Sequence, residues 1–547
     1  MKSAVGPWLI LILLLTPVVS LALYLHRPPE VVSAGAPLSE FSAERAFEHL
    51  KVLASQPRPV GSRSHDNARD YIVAVLTKLG LQPEVQLSEY NNRGSNDVVK
   101  LENIVARLPG TEAGKGAILM VAHYDSVPQS PGASDDGAGV VSLLEVLRAL
   151  KARSVLKRDV VLLFSDGEEL GLRGARGFLK SPVIPEIGLI LNFEARGSRG
   201  PVYMFETGEN NSWAIGEFGK VVPFPFASSL SEEVYRFLRN DTDFTVFKNQ
   251  GLQGFNFAHI GGPDDYHSAG DSLGNLDLRS IQHQGSYALA LVNHFGNLDL
   301  NQRAQGNAVF FDGLGRVLIS YSDKFVMPIA LVITLSLVGV IVWGRIRSGL
   351  SLGSSALGSL VFFVSAVCCV LVTALVGSGL GFWLGESAIK EHAVPILIGL
   401  VALNLLVIVT IYQIAARRFS YTDLSMGALL GWLLCMLVVS FYFPLASYLF
   451  QWSLVGSIAA FAINMSLRSL NVVVVNCLGA VPAIVLFTWT GRGIFEAVGL
   501  RWPVLVSVAV LFLIGLLLPS LEFLAQSLRG FSSPRLAVLR SVLPRVS

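Results

Sequence analysis

Hydrophobic and polar positions follow two regimes along this chain of 547 residues. Between Arg27 and Lys324 they change with short periods. An amphipathic pattern from Ser42 to Leu53 predicts a helix, and another from Asp66 to Leu79 is ended by Gly80. Apolar, β-branched runs at Asn103–Leu108, Ala117–His123, Asp159–Phe164, Gly188–Phe193 and Val202–Phe205 predict strands. Helical periodicity at Gly139–Leu150 and Gly171–Lys180 separates them, and Leu278–Phe295 closes the region. Strands alternating with helices predict an α/β domain, with a mixed, largely parallel sheet flanked by helices on both faces. Residues 301–325, with Ala308–Asp312 and Arg316–Tyr321, read as a β-rich linker.

Beyond Val326 the pattern changes. Apolar stretches near the roughly 20 residues a helix needs to cross hydrocarbon are separated by small charged clusters. Spans are expected at about 326–343, 355–379, 393–415, 425–442, 446–465, 470–489 and 503–521. One more, from Pro7 to Leu25, is expected as a retained anchor rather than a cleaved leader, giving eight. With Met1 on the cytoplasmic side, the cytoplasmic segments hold ten Lys and Arg against at most five on the other side. That bias places Arg27–Lys324 outside the cytoplasm. The expected organisation is an anchor at 1–27, an extracytoplasmic domain at 28–300, the linker, a seven-span α-helical transmembrane domain at 326–526, and a basic cytoplasmic tail at 527–547. The expected location is a bacterial inner membrane with a periplasmic domain; the alternative is a eukaryotic endomembrane with a lumenal domain.

Composition sharpens this picture. The charged fraction is 15%, well under the roughly 25% of soluble domains, as lipid-embedded segments require. A net charge of +2 argues against a nucleic-acid partner. All four cysteines (Cys368, Cys369, Cys435, Cys477) fall in expected spans, so the α/β domain relies on a packed core rather than disulfides.

Candidate chemistry sits at strand ends, where open α/β sheets bind ligands. One strand runs into His123-Tyr124-Asp125. Asp135-Asp136 precedes the next helix, Glu168-Glu169 follows another strand, and Glu194 ends a fourth. Tyr266-His267 lies in a turn-rich loop far downstream. Histidines and carboxylates without thiolates suit zinc, and two His with three carboxylates suit two ions sharing one carboxylate. Adjacent Glu168 and Glu169 point in different directions, so one can hold metal while the other reaches water. Asp125, two residues after His123, shares its strand face and can fix the imidazole tautomer. Taken singly each motif has a bland reading: Asp-Asp before glycine is often only a helix N-cap. Their conjunction in one domain carries the case.

In this order, His-Tyr-Asp, Gly-Ala-Ser-Asp-Asp-Gly-Ala-Gly, Asp-Gly-Glu-Glu-Leu-Gly, Leu-Asn-Phe-Glu-Ala-Arg-Gly and Pro-Asp-Asp-Tyr-His-Ser resemble the co-catalytic dizinc metallopeptidases of family M28, aminopeptidase or glutamate carboxypeptidase-like, over about residues 40–298. The multi-span half resembles the membrane-anchored branch more loosely. The resemblance implies one Zn2+ held by His123, Asp135 and Glu194 and a second by Asp135, Glu169 and His267. It also implies Glu168 as general base, Asp125 as the partner of His123, a cis peptide before Asp136, and Tyr266 as an oxyanion donor. Many relatives carry Asp where this chain has Glu194, so substrate preference does not transfer. Arg196 is a candidate contact for a substrate carboxylate.

The implied function is membrane-bound, zinc-dependent hydrolysis of a peptide substrate at a chain end, most plainly as an aminopeptidase, with the lipid bilayer as the other partner. A catalytically silent receptor-like module would have lost ligands, whereas every position here is filled. A single-zinc glutaminyl cyclase-like acyltransferase is disfavoured by the complete His123 and Asp135 pattern. A transporter would carry ionisable residues inside its spans, and here they sit at span ends; interior Asn404, Asn471 and Asn476 read as helix-packing contacts.

Overall fold

The computed structural model describes residues 5–91, 98–112, 115–181, 186–236, 240–301, 305–466 and 471–498, with a few positions between 510 and 517. The chain divides into two compact units, His26–Lys324 and a second that joins Met1–Leu25 to the residues from Phe325 onward.

The first unit is built on seven strands: β1 (Glu84–Asn91), β2 (Val98–Leu108), β3 (Ala117–His123), β4 (Val160–Ser165), β5 (Ile187–Ala195), β6 (Arg199–Thr207) and β7 (Gly254–Gly261). Their order in the sheet is β1-β2-β4-β3-β5-β7-β6. The central β4, β3, β5 and β7 run parallel, and β1, β2 and β6 add antiparallel edges. The chain's helices begin with α1 (Val5–Leu25), which belongs to the second unit; those of the first are α2 (Ala43–Leu53), α3 (Arg63–Lys78), α4 (Gly137–Lys151), α5 (Arg173–Leu179), α6 (Ser212–Val221), α7 (Ser229–Tyr235), α8 (Asp243–Lys248) and α9 (Leu278–Phe295).

The unbroken apolar run of β3 follows from burial on both faces. Ile118, Met120 and Ala122 join the core beneath α4 and α9, with Leu144, Val146 and Phe295. Ala117, Leu119 and Val121 point the other way, against Phe178 of α5 and Phe244 and Phe247 of α8. Helix α4 is buried over almost its whole length, since it lies between the sheet and α2 and α9. Residues 308–322, expected as a linker, form a hairpin of β8 (Ala308–Gly313) and β9 (Val317–Ser322), which packs on α6 and α7 within the first unit.

The second unit holds α10 (Val326–Ser348), α11 (Leu352–Glu391, with Gly385 outside helical geometry), α12 (Ala393–Ala415), α13 (Tyr421–Tyr442), α14 (Tyr448–Ser466) and α15 (Asn471–Val498). Small residues let helices approach closely: a Cβ on Gly427 of α13 would lie 2.4 Å from the Gly358 backbone of α11, and one on Gly456 of α14 would lie 2.3 Å from Gly479 of α15. Asn404 donates to Thr373 at 2.9 Å and Asn464 to Asn476 at 2.5 Å, so two of these polar side chains link neighbouring helices. The expected count of eight spans is corrected to six helices long and apolar enough to cross a membrane among the described residues. The described apolar part of the N-terminal helix is the shorter Leu13–Leu25. The stretch expected at 503–521 lies almost wholly outside the described residues, as does the basic tail at 527–547.

Candidate metal centre

The carboxyl ends of the four parallel strands converge on one edge of the sheet. His123 is the last residue of β3, and Glu194 is the penultimate residue of β5. Glu168 and Glu169 ride the turn after β4. Gly167 opens that turn with φ of +66°, and a Cβ there would lie 2.7 Å from Leu101. Asp135 sits just before α4, and His267 lies in the loop that follows β7, itself at φ of +54°. A histidine in the left-handed region costs of the order of 1 kcal/mol, which is typical of residues held for function.

These side chains meet. His123 Nε2 lies 3.1 Å from Asp135 Oδ1 and 3.8 Å from Glu194 Oε2. His267 Nε2 lies 3.1 Å from Asp135 Oδ2 and 3.1 Å from Glu169 Oε2. Asp135 therefore faces one imidazole with each of its oxygens. His123, Asp135 and Glu194 form one compact donor group, Asp135, Glu169 and His267 a second, and His123, Glu168 and Glu169 a third, with donor atoms in each group within 4.8 Å of one another.

The two aspartates of the tandem divide their work. Asp136 caps α4 by accepting from Gly139 N at 3.0 Å, while Asp135 turns into the cluster. The peptide between them is cis, as expected. Asp125 does more than expected: it accepts from the backbone amides of Glu168 and Glu169, both at 3.2 Å, and its Oδ1 lies 3.3 Å from His123 Nδ1. The Asp125 carbonyl oxygen is also 3.2 Å from that nitrogen. Asp125 thus offers Nδ1 two acceptors, while Nε2 faces Asp135 and Glu194. Tyr266 stacks on His267 with centroids 3.8 Å apart, and burial raises its pKa. Arg196 uses its backbone amide to bond the His259 carbonyl, and the side chain is half-buried.

Three buried polar residues escaped the sequence reading. Arg58 donates to the carbonyls of Tyr124, Pro131 and Gly132 and so ties the end of β3 to the loop that carries Asp135. Asp271 accepts from the amides of Ser134 at 2.6 Å and Asp135 at 3.1 Å. Asp243 accepts from Ser165 at the end of β4, and burial pushes its carboxyl up to about 6. Nothing in a lone Arg or Asp within a polar loop distinguishes it from surface; only the burial shown by the fold does.

The electrostatics are those of an acidic cluster short of cations. Burial drives the Glu168 and Glu194 carboxyls well above their ordinary range, with neighbouring carboxylates adding to the shift. Burial also raises Glu169. Asp135 moves the other way, because His123 and His267 outweigh its burial. His267 rises to about 10, as its two carboxylate neighbours overcome desolvation. His267 Nε2 touches two carboxylate oxygens yet is aligned for a hydrogen bond with neither, and Glu169 Oε1 is buried without a partner. Imidazole nitrogens set among carboxylate oxygens, an orphaned carboxylate oxygen and a surplus of buried acid all fit divalent cations between these donors, and imidazole plus carboxylate is a zinc donor set.

The sequence profile described as Peptidase family M28 matches residues 103–292. The chain is 29% identical over 351 residues to the vacuolar membrane protease of Candida dubliniensis, covering 61% of this chain and 36% of that protein. It is 31% identical over 318 residues to endoplasmic reticulum metallopeptidase 1 of Homo sapiens, covering 52% and 34%. The chain thus spans about a third of the length of these curated relatives. Among solved structures it is similar to a glutaminyl cyclase of Porphyromonas gingivalis, with a TM-score of 0.39 and 22% identity, over 46% of this chain and 98% of that one. The names of these relatives place them in a vacuolar membrane and the endoplasmic reticulum, and so lend no support to the expected bacterial inner membrane. The matched segment begins within β2 and ends within α9, and so takes in every strand end that carries the cluster: it is this segment of the chain that is similar to peptidase family M28.

Proposed function

We propose that this protein is a membrane-bound, zinc-dependent exopeptidase, most plainly an aminopeptidase, whose catalytic domain faces the lumen of an endomembrane. The observation that carries the reading is the placement of Asp135, with one oxygen 3.1 Å from His123 and the other 3.1 Å from His267. His123, Asp135 and Glu194 would hold one ion, and Asp135, Glu169 and His267 a second. Bound zinc would acidify water and polarise the scissile carbonyl.

The chain's own residues supply the rest. Glu168 lies with His123 and Glu169 at the cluster and takes no part in either of the two ligand groups that share Asp135. Its carboxyl, raised by burial, suits a group that accepts a proton from water and returns it to the leaving amine. Asp125 holds the backbone that presents both glutamates. Tyr266, packed on His267, is the donor for the oxygen that gains charge in the tetrahedral state.

The test uses full-length protein in detergent or nanodiscs, loaded with zinc, on peptides with free or blocked termini. Wild type should release residues from a free N-terminus, and Glu168→Gln should keep its zinc while losing at least about 100-fold in kcat. Cyclisation of N-terminal glutamine without peptide hydrolysis, or undiminished activity in Glu168→Gln, would overturn the reading.

A further inference from the structure

A polar ladder crosses three strands of an otherwise apolar sheet and ends on Glu194. Asn192 of β5, Asn256 of β7 and Glu206 of β6 stand at the same register. All three are buried, with Asn192 and Asn256 at 0% exposure. The opposite face at the next position carries a conventional apolar pair, Phe193 stacked on Phe257 at 5.2 Å.

The direction of each bond is fixed. Glu206, anchored by Lys248 at 3.2 Å, can only accept, so Asn256 donates to it at 3.0 Å and to Thr242 at 2.8 Å. The Asn256 oxygen then accepts from Asn192 at 2.9 Å, and the second N–H of Asn192 reaches Glu194 Oε1 at 3.2 Å. A flipped Asn192 amide would set its oxygen against two acceptors. The other oxygen of Glu194, Oε2, is the one that faces His123. Glutamate has one more torsion than aspartate, so presenting Oε2 reproducibly requires something to hold Oε1.

We infer that the Asn192–Asn256–Glu206 ladder is a positioning device that holds Glu194 for metal, and so sets the affinity of the His123–Asp135–Glu194 position without contributing to the Asp135–Glu169–His267 position. The inference rests on the proposed two-metal reading and gives Lys248, Glu206 and both asparagines a shared role. None of them touches a metal position in the structure; each acts through Glu194.

The experiment is a zinc titration of the full-length, metal-stripped protein against a competing chelator, with zinc per chain measured at each step. Wild type should show two binding steps. Asn192→Leu should lose about 10- to 100-fold in affinity at one step and keep the other, the retained step reporting that the protein is folded. Asn256→Asp should lose the same step, since it places a second carboxylate against Glu206. Adding Glu206→Gln to Asn256→Asp should restore it, because the bond between the two positions then runs in the opposite sense while the acceptor for Asn192 remains. Two unchanged steps in Asn192→Leu, or failure of the double variant to recover while its other step is intact, would overturn the ladder's role. Absence of two steps in wild type would instead overturn the two-metal reading beneath it.

Discussion

Asp125→Asn exchanges one oxygen for an NH2 and leaves the packing of a wholly buried side chain almost unchanged. In the native protein this carboxylate accepts from the amides of Glu168 and Glu169 at 3.2 Å each and lies 3.3 Å from His123 Nδ1. An asparagine keeps one acceptor oxygen for three donors. At least one amide of the glutamate turn then loses its partner, or His123 loses the carboxylate that favours its Nδ1–H tautomer. Hydrogen bonds to charged groups are worth about 1.5–3 kcal/mol, and these are long, so each belongs near the lower end. Losing one or two gives about 2–4 kcal/mol, or roughly 30- to 1,000-fold in kcat/KM. The assay is kcat/KM of full-length protein on an unblocked peptide, with zinc occupancy measured on the same samples and the comparison made at equal occupancy. A variant within threefold of wild type at equal zinc would refute Asp125 as the organiser of base and ligand. Loss of fold alone would instead lower the melting temperature and zinc content together.

Two other outcomes are expected. Tyr266→Phe keeps the ring that stacks on His267, so zinc binding should be unchanged while kcat falls by about tenfold or more if the hydroxyl serves the oxyanion; equal kcat would reduce Tyr266 to packing. His283 accepts from Val202 N and donates to the Phe224 carbonyl, and burial pushes its pKa down to about 3. The unfolded chain, ionising near 6.5, binds the extra proton first, so stability falls as pH drops from 6.5 toward 3, by about 2 kcal/mol between pH 7 and pH 5. His283→Gln can make both bonds without titrating, and thermal melts over that range should fall less steeply than in wild type; parallel slopes would contradict this.

The fully buried β3 and β4 were the plainest strands in the sequence, because a continuous apolar run has no other comfortable place. Ala117–His123 and Leu278–Phe295 occur with the expected bounds. β1 was missed because Glu84–Asn91 is a mostly polar edge strand, with Leu87 72% exposed. β7 was missed because Asn256 and His259 interrupt its run between glycines. The cluster was legible because its side chains lie at or after the ends of the central strands in recurring local patterns. What holds these side chains was not: Arg58, Asp271 and the Asn192–Asn256–Glu206 ladder acquire meaning only once distant segments pack, and no local spacing marks them.

The central claim is that five side chains, shared through Asp135, hold two cations. Zinc per chain, measured by plasma mass spectrometry on full-length protein after equilibrium dialysis, tests it most directly. The account predicts two zinc ions in wild type and loss of both in Asp135→Ala. A single ion in wild type, or an Asp135→Ala protein that still holds two, would contradict it.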